Sequence, residues 1–369
     1  MISKKKPTLD ISKFDQNMEV KKADENGLIW HLPYERPFKL AGFHWFDQDQ
    51  VYRRFPVTPP SPLPAGVDGL AWCTAGGQIK FRTDSAKISL KVTLRDAGAM
   101  DHMAQTGMSG FDLYVGEPGK EIFYSVSRFA IGATEFTCEL FNCSQRKRRT
   151  FTINFPLYKG VNAIRIGLQA DAKIEAPPAY RQNRPVVVYG TSITQGGCAS
   201  RPGSCYTNIL SRRLNIPFIN LGFSGSGKGE PDVARNMALI KNPAILILDY
   251  EANCVTFDRF ATTLPEFIAI LRATHKTAPI LVISKIRFGQ EALAGDPGKS
   301  RDRKKCNRMQ RTLVRKMQQA GDPNIHFLDG APLLGKDYWE CTVDNVHPTD
   351  LGFFRMADSI EPVLRKILR

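Results

Sequence analysis

Three short runs in the second half of the chain consist almost entirely of apolar residues: 186–189 (VVVY), 244–248 (AILIL) and 279–283 (PILVI). A strand that is apolar on both faces must be covered on both faces, which is typical of a parallel strand between two layers of helices. Stretches with helical spacing of apolar residues lie between these runs. With two further short strands at 218–221 and 325–328, the pattern predicts a three-layer α/β/α sheet of about five parallel strands.

The first half of the chain has a different pattern. Short runs rich in Val, Ile, Phe and Thr alternate there with turn residues, and no long helical period intervenes. These runs are 27–31, 77–81, 87–94, 111–115, 122–126, 136–140, 150–155 and 163–168. They predict an all-β sandwich or jelly-roll domain.

A proline-bounded segment, 177–185, is a plausible linker between the two patterns. We therefore expect an N-terminal extension over 1–25, a β-sandwich (jelly-roll-like) accessory domain over 26–178, and an α/β domain over 185–369.

The composition excludes several classes of protein. The chain has 369 residues, of which 42% are hydrophobic and 24% charged, so a collagen-like or wholly disordered chain is excluded. No window approaches 18 consecutive apolar residues, so we expect no membrane-spanning helix. The basic N-terminus is followed by no apolar segment and is not a signal peptide as written. This leaves a cytoplasmic protein, or a secreted or periplasmic one in its mature form.

The net charge of +15 is partly concentrated in one basic run, from Lys299 to Lys316. Apolar residues recur within this run at helical spacing, which predicts an amphipathic helix with a solvated basic face. No zinc-finger, RNP or helix-turn-helix pattern accompanies it, so we expect no nucleic-acid partner. The oligomeric state stays open.

The eight cysteines form no CxxC pair and no Cys/His ligand cluster in the sequence, which argues against a structural zinc site. Cys138 and Cys143, and likewise Cys198 and Cys205, are close enough along the chain to form disulfides. The sequence does not decide between these bridges and buried free thiols.

Polar segments follow four of the predicted strands, and the last of these segments also precedes the final helix. The carboxyl ends of parallel strands share one edge of a sheet, so we expect these segments to lie together. These four segments are 190–197 (GTSITQGG), 220–227 (NLGFSGSG), 249–253 (DYEAN) and 344–348 (DNVHP). Together they supply a hydroxyl group, backbone N–H donors, a side-chain amide and a carboxylate–imidazole pair. This is the inventory that acyl transfer through a serine nucleophile requires.

Each of these groups has a defined chemical role in such a reaction. Ser192 is the candidate nucleophile, His347 the candidate base that takes its proton, and Asp344 the carboxylate that orients the imidazole. The backbone N–H groups of Ser192 and Gly225 and the side-chain amide of Asn253 are the candidate oxyanion donors.

The blocks GTSIT, NLGFSG, EAN and DNVHP resemble, in order and in placement, those of the SGNH (GDSL-type) hydrolases. The resemblance covers residues 185–369 and implies a flavodoxin-like hydrolase fold with the site residues named above. It departs from the family in Gly-Thr-Ser for Gly-Asp-Ser and in Glu-Ala-Asn for Gly-x-Asn. The segment 109–114 (SGFDLY) also resembles the Gly-x-Asp-Leu-Tyr signature of a β-rich domain that precedes some of these enzymes.

The resemblance implies a serine esterase with no metal or organic cofactor, acting on small esters and plausibly on acetylated carbohydrates. Two alternatives stay open. Residues 222–228 (GFSGSGK) resemble a phosphate-binding loop, although Gly229 stands where that motif needs Ser or Thr. A non-catalytic carbohydrate-binding protein is the other alternative, with Trp30, Trp45 and Trp72 as candidate stacking residues. Asp350 is expected to be the N-cap of the last helix.

Overall fold

A computed structural model describes residues 22–293 and 297–369, with side chains described outside 297–300. Residues 1–21 of the expected N-terminal extension lie outside this description. In the described residues, an antiparallel β-rich part comes first and a parallel α/β part follows.

Ten strands form two antiparallel sheets in the N-terminal part. The strands are β1 (Leu28–His31), β2 (Lys39–Ala41), β3 (Gln78–Thr83), β4 (Lys87–Leu94), β5 (Asp112–Val115), β6 (Ile122–Val126), β7 (Glu135–Asn142), β8 (Arg149–Asn154), β9 (Val161–Gln169) and β10 (Ile174–Glu175). The strand order is β1-β9-β4-β7 in one sheet and β10-β3-β8-β5-β6 in the other, where β2 also pairs with β3. Side chains of both sheets share one apolar core, as in a sandwich.

Three short helices connect strands of this part: α1 (Phe46–Asp49), α2 (Ala65–Leu70) and α3 (Gln105–Met108). The predicted sandwich is confirmed, while its jelly-roll connectivity stays a prediction. The sequence analysis missed β2 and β10, which have three and two residues and are too short to show an alternating pattern.

Five parallel strands form the sheet of the C-terminal part, in the order β12-β11-β13-β14-β15. They are β11 (Val186–Gly190), β12 (Phe218–Gly222), β13 (Ile245–Asp249), β14 (Ile280–Ile283) and β15 (Ile325–Leu328). This is the flavodoxin-like strand order, in which the crevice for a ligand lies at the carboxyl ends of the strands, where the order reverses.

Six helices belong to this part: α4 (Ser192–Gln195), α5 (Tyr206–Leu214), α6 (Pro231–Met237), α7 (Phe257–Thr274), α8 (Pro297–Gln319) and α9 (Asp350–Ile367). Val186 and Val188 of β11 share a core with α5 and α9, whereas Val187 and Tyr189 share the opposite core with α6, α7 and α8. The predicted three-layer arrangement is thus confirmed. No helix among the described residues combines the length and the apolar character that crossing a bilayer would need.

The basic run forms α8, as predicted. Cys306 and Val314 are buried beneath the sheet, while Lys304, Arg308 and Arg315 point to solvent. All eight cysteines are free thiols.

Buried polar groups join the two parts of the chain. Asp112, at the start of β5, is fully buried and accepts hydrogen bonds from the N–H of Gly203 at 2.7 Å and from Asn154 Nδ2 at 2.7 Å. Arg201 lies 3.2 Å from the same carboxylate. Burial raises the pKa of the Asp112 carboxyl, and the charge of Arg201 and these hydrogen bonds oppose the rise.

A second buried link involves Arg54, which is 0% exposed. Its guanidinium donates to the carbonyl groups of Leu70, Asn220 and Gly222, and stacks 4.6 Å from the Phe223 ring centroid. Burial lowers the pKa of Arg54 to about 10, so the side chain stays charged at neutral pH. The N-terminal part thus fixes the end of β12 and the turn that follows it.

We expect Asp112→Ala to lower the free energy of unfolding by about 3 kcal/mol or more, because it leaves Arg201 without its buried partner. Urea denaturation of the full chain measures this. Asp171→Ala is the matched control: Asp171 pairs with Arg146 but is 74% exposed, so its loss should cost less than about 1 kcal/mol. Equal losses from the two variants would contradict the account.

Candidate active site

Ser192 lies at the first position of α4, directly after the central strand β11. Thr191 is the N-cap, and its side chain accepts a hydrogen bond from the N–H of Ile193. The turn is tight: a Cβ atom on Gly190 would lie 2.0 Å from Thr194 Oγ1, so a larger residue does not fit there. Ser192 is buried, with 7% of its surface exposed.

His347 and Asp344 lie in the loop before α9. Asp344 Oδ1 accepts hydrogen bonds from the N–H groups of Val346 at 3.0 Å and His347 at 2.7 Å, and Oδ2 lies 2.6 Å from His347 Nδ1. Burial raises the pKa of Asp344, but the hydrogen bonds from His347 and Val346 outweigh it and hold that pKa below its ordinary value. The carboxylate therefore stays ionised beside the imidazole.

The remaining ring nitrogen of His347 meets Ser192. His347 Nε2 lies 2.8 Å from Ser192 Oγ, within the range of a good hydrogen bond. Because Asp344 engages Nδ1, the lone pair of the neutral ring lies on Nε2 and faces the hydroxyl. The structure thus brings the three predicted residues into one hydrogen-bonded chain.

Two of the three predicted oxyanion donors, Gly225 and Asn253, lie on neighbouring loops, after β12 and β13. The carbonyl of Phe223 accepts hydrogen bonds from Ser226 and Gly227 N–H, which closes the turn that contains Gly225. Asn253 Nδ2 also donates to this carbonyl at 3.2 Å. Gly225 has a φ of +65° with open space at its Cβ position, a backbone conformation that favours glycine. The structure therefore places Asn253 against the Gly225 turn.

Two supporting residues were not identified from the sequence. Gln195, which is 0% exposed, accepts from the N–H of Ser224 at 3.0 Å and donates to the carbonyl of Leu157 at 3.1 Å. The hydroxyl of Tyr158 donates to the carbonyl of Ser192 at 3.3 Å. Both connect the Ser192 turn to the N-terminal part. A lone Gln or Tyr far along the chain carries no motif that would reveal such a contact.

The N-terminal part also contributes a wall beside His347. The His102 ring packs edge-on against the His347 ring, with centroids 5.5 Å apart and an interplanar angle of 61°. Nearby, Thr106 Oγ1 donates to the carbonyl of Ser200 at 2.6 Å. His102 lies in a loop before α3, and the sequence analysis gave no reason to place it here.

Within the described residues, one set of side chains has donor atoms close enough to hold a metal ion: His102, Cys198 and His347, with the three donor atoms within 4.8 Å of one another. These residues are far apart along the chain, so no Cys/His cluster is visible in the sequence.

A buried carboxyl lies behind the Ser192 turn. Asp249 Oδ2 accepts hydrogen bonds from Tyr206 OH at 3.0 Å and from Thr194 Oγ1 at 3.3 Å. Burial raises the pKa of Asp249 to about 7, although both hydrogen bonds act to lower it. Asp249 therefore joins α4 and α5 beneath the Ser192 turn.

The three tryptophans considered as stacking residues for a carbohydrate make other contacts in the structure. Trp45 is buried in the core shared with the parallel sheet, and Trp72 lies against the guanidinium groups of Arg53 and Arg95. Trp30 donates to Asp24. These tryptophans are thus occupied by contacts within the chain.

The expectation for Asp350 was wrong. Thr349 is the N-cap of α9, and Asp350 is its first residue. The Asp350 carboxylate instead accepts hydrogen bonds from the N–H and the hydroxyl of Ser200, which ties the His347 loop to the segment after the Ser192 turn. The sequence could not show this partner because Ser200 is remote along the chain.

Comparison with protein families gives a match in each half of the chain. Residues 183–365 match the GDSL-like lipase/acylhydrolase family. Residues 28–174 match the N-terminal domain of SGNH-hydrolase-type esterases. No curated protein sequence matches the chain.

Solved structures share the fold of both halves. A protein described as a GDSL-like lipase from Bacteroides ovatus is 29% identical with a TM-score of 0.82, and the alignment covers 92% of this chain and 98% of that one. The salicylyl-acyltransferase SsfX3 of a tetracycline biosynthetic pathway is 17% identical, with coverage of 93% and 98% and a TM-score of 0.71. A family two carbohydrate esterase from Cellvibrio japonicus is 14% identical, with coverage of 92% and 98% and a TM-score of 0.59.

We expect the raised pKa of Asp249 to make the free energy of unfolding depend on pH. Between its ordinary pKa near 4 and the value of about 7 in the fold, the folded chain binds more protons than the unfolded chain, so stability falls as pH rises. Asp249→Asn removes this titration. The free energy of unfolding of wild type should therefore fall by about 2–3 kcal/mol more than that of the variant when the pH rises from 5 to 8.

Urea denaturation across that pH range measures the difference, and Asp258→Asn, an exposed residue, is the matched control for the loss of one carboxylate. A difference between Asp249→Asn and wild type that does not change with pH would show that Asp249 is ionised throughout.

Proposed function

Because the chain belongs to the GDSL-like lipase/acylhydrolase family, we propose that this esterase hydrolyses small acyl esters, above all acetyl esters of carbohydrates, through Ser192, His347 and Asp344. The observation that carries the proposal is the hydrogen-bonded chain from Asp344 through His347 to Ser192, with His347 Nε2 2.8 Å from Ser192 Oγ. Asn253 and the Gly225 turn lie together at the same edge of the sheet.

In the first step Ser192 Oγ attacks the ester carbonyl carbon while His347 Nε2 takes the hydroxyl proton. The imidazolium that forms is stabilised by Asp344, whose carboxylate lies 2.6 Å from Nδ1. Since Asp344 also accepts two backbone hydrogen bonds from its own loop, the ring is held in one orientation before the substrate arrives.

The negative charge that develops on the carbonyl oxygen requires hydrogen-bond donors that are already in place. The N–H groups of Ser192 and Gly225 and one N–H of the Asn253 amide are the donors we assign to it. The other N–H of that amide donates to the carbonyl of Phe223, which fixes the orientation of the side chain.

The intermediate collapses when the C–O bond to the alcohol breaks and His347 gives its proton to the departing oxygen. Water then attacks the acyl-enzyme, with His347 as base again, and releases the carboxylic acid and free Ser192. Every proton in this cycle is carried by His347, so we assign no step to a metal or organic cofactor.

Carbohydrate as the alcohol portion is supported by the fold. The carbohydrate esterase from Cellvibrio japonicus shares the architecture over 92% of this chain, including the β-rich part. That part contributes His102, Met103 and Tyr158 to the surroundings of the Ser192 turn and the His347 loop. We therefore propose an accessory domain over 26–178 that shapes the pocket of the catalytic domain over 185–369.

Ser192→Ala should lower kcat/KM for 4-nitrophenyl acetate by at least about 1,000-fold, because among the described residues His347 Nε2 is paired with the Ser192 hydroxyl alone. His347→Ala should lose a similar factor, and the double variant should lose no more than either single one, since the two residues act as a unit. Ser144→Ala, which removes an exposed hydroxyl of the β-rich part, is the matched control and should keep its activity. Wild-type kcat/KM in Ser192→Ala would contradict the assignment.

Asn253→Ala should lower kcat by about 100- to 1,000-fold with a small change in KM, because the amide is assigned to the transition state rather than to the bound ester. Steady-state kinetics on the same ester separate the two parameters. A variant that raises KM alone would move Asn253 from the oxyanion site to substrate binding.

The substrate class is tested by measuring acetate release from acetylated xylan, acetylated mannan, peracetylated monosaccharides and a series of aryl esters, with Ser192→Ala as the blank. We expect acetylated sugars to give higher kcat/KM than aryl acetates, and activity to fall with acyl length. A preference for aryl esters longer than about four carbons would contradict the carbohydrate assignment while leaving the serine mechanism intact.

A further inference from the structure

We propose that His102, Cys198 and His347 form a binding site for Zn²⁺ and similar borderline transition-metal ions, and that a bound ion reversibly blocks the esterase. The three donor atoms lie within 4.8 Å of one another. Two imidazole nitrogens and a thiolate are a preferred donor set of tetrahedral Zn²⁺, with a water molecule or the Ser192 hydroxyl available as the fourth donor.

Both histidines are oriented as metal-binding histidines usually are. Asp344 Oδ2 lies 2.6 Å from His347 Nδ1, and Asp101 Oδ1 lies 3.0 Å from His102 Nδ1. A carboxylate on one ring nitrogen fixes the ring and leaves the lone pair on the other, which also raises the basicity of that donor. These contacts favour the tautomers in which the lone pairs of His102 and His347 are on Nε2.

The third donor is Cys198, which comes from the segment after the Ser192 turn. Its N–H donates to the carbonyl of Pro348 at 3.1 Å, so the residue is anchored beside the His347 loop. Burial raises the pKa of the Cys198 thiol to about 12, with the charges of Asp344 and Asp101 adding to the rise. A divalent cation at this position reverses that balance, because it binds the thiolate and releases the proton to water.

The site is open to an ion from solution. The His102 side chain is 30% exposed and the His347 side chain is 21% exposed, so two of the three side chains border solvent. The donors come from three separate stretches of the chain, one of them in the β-rich part, which is why no sequence motif shows the cluster.

Metal binding and catalysis compete for one lone pair. His347 Nε2 is the atom that takes the Ser192 proton in the proposed mechanism, and it lies 2.8 Å from Ser192 Oγ. A metal bound at Nε2 occupies that lone pair, so the base is lost until the ion dissociates. The inhibition, but not the binding, rests on the proposed function.

The experiment has two readouts on the full chain. Co²⁺, a spectroscopic substitute for Zn²⁺, is titrated first, and a thiolate-to-cobalt absorption band reports coordination by Cys198. Hydrolysis of 4-nitrophenyl acetate is then measured against Zn²⁺ concentration, with reversal by EDTA. We expect one metal ion per chain, the thiolate band, and inhibition that EDTA removes.

Three variants test whether His102 and Cys198 bind the metal ion. His102→Gln and Cys198→Ser should each raise the Zn²⁺ concentration for half-inhibition by at least about 10-fold, since even the loss of an outer-shell partner costs that much, and Cys198→Ser should abolish the band. Cys143→Ser removes a half-buried thiol of the β-rich part and should change neither readout. Circular dichroism identifies a variant that fails to fold, for which His102→Ala and Cys198→Ala are the replacements.

Absence of the thiolate band, or equal Zn²⁺ inhibition of wild type and both variants, would overturn the proposal. If the chain shows no ester hydrolysis but gives a band that Cys198→Ser removes, the metal site stands and the proposed function fails. Hydrolysis that Zn²⁺ leaves unaffected would retain the proposed function and overturn the inhibitory site.

Discussion

The contact between Ser192 Oγ and His347 Nε2 joins two loops whose residues are 155 positions apart in the chain, and the surrounding structure holds these loops together. The parallel sheet brings both to one edge because Ser192 follows β11 and His347 lies between β15 and α9. Further bonds fix their spacing: Cys198 N–H donates to Pro348, and Asp350 accepts from Ser200. A hydroxyl and an imidazole at 2.8 Å need this bracing, since a shift of about 1 Å is enough to cost a large part of the rate.

Residues of the β-rich part contact the candidate active site directly. Arg54 is fully buried and holds the carbonyl of Gly222 at the end of β12, directly before the turn that offers the Gly225 N–H. Tyr158 binds the carbonyl of Ser192, and His102 packs against His347. We infer that the α/β part alone would lack both the correct oxyanion turn and one wall of the pocket. The same packing places His102, a proposed metal donor, beside His347, the proposed base.

The sequence predicts the strands of the parallel sheet and the edge at which the candidate site lies, because both follow from local pattern and topology. Doubly apolar strands such as β11 and β13 are typical of a parallel sheet covered on both faces, and parallel strands bring their following loops to one edge, so the pattern predicts that Ser192, Asn253 and His347 lie near one another. Contacts between the parts do not follow from it. Gln195, His102 and the Ser200 partner of Asp350 depend on how two surfaces dock, and a single polar residue has no periodicity that reports its distant partner. The short strands β2 and β10 were not predicted, for a related reason. They are defined by the strand with which they pair and not by a pattern in their own residues.

Covalent labelling with a fluorophosphonate, followed by peptide mass spectrometry, reports whether His347 activates Ser192, because the reagent reacts with a serine hydroxyl only when a neighbouring base activates it. We expect a single adduct on Ser192 in the wild-type chain and a labelling rate lower by at least about 1,000-fold in His347→Ala. An adduct on any other residue, or a rate of Ser192 labelling that His347→Ala leaves unchanged, would contradict this expectation.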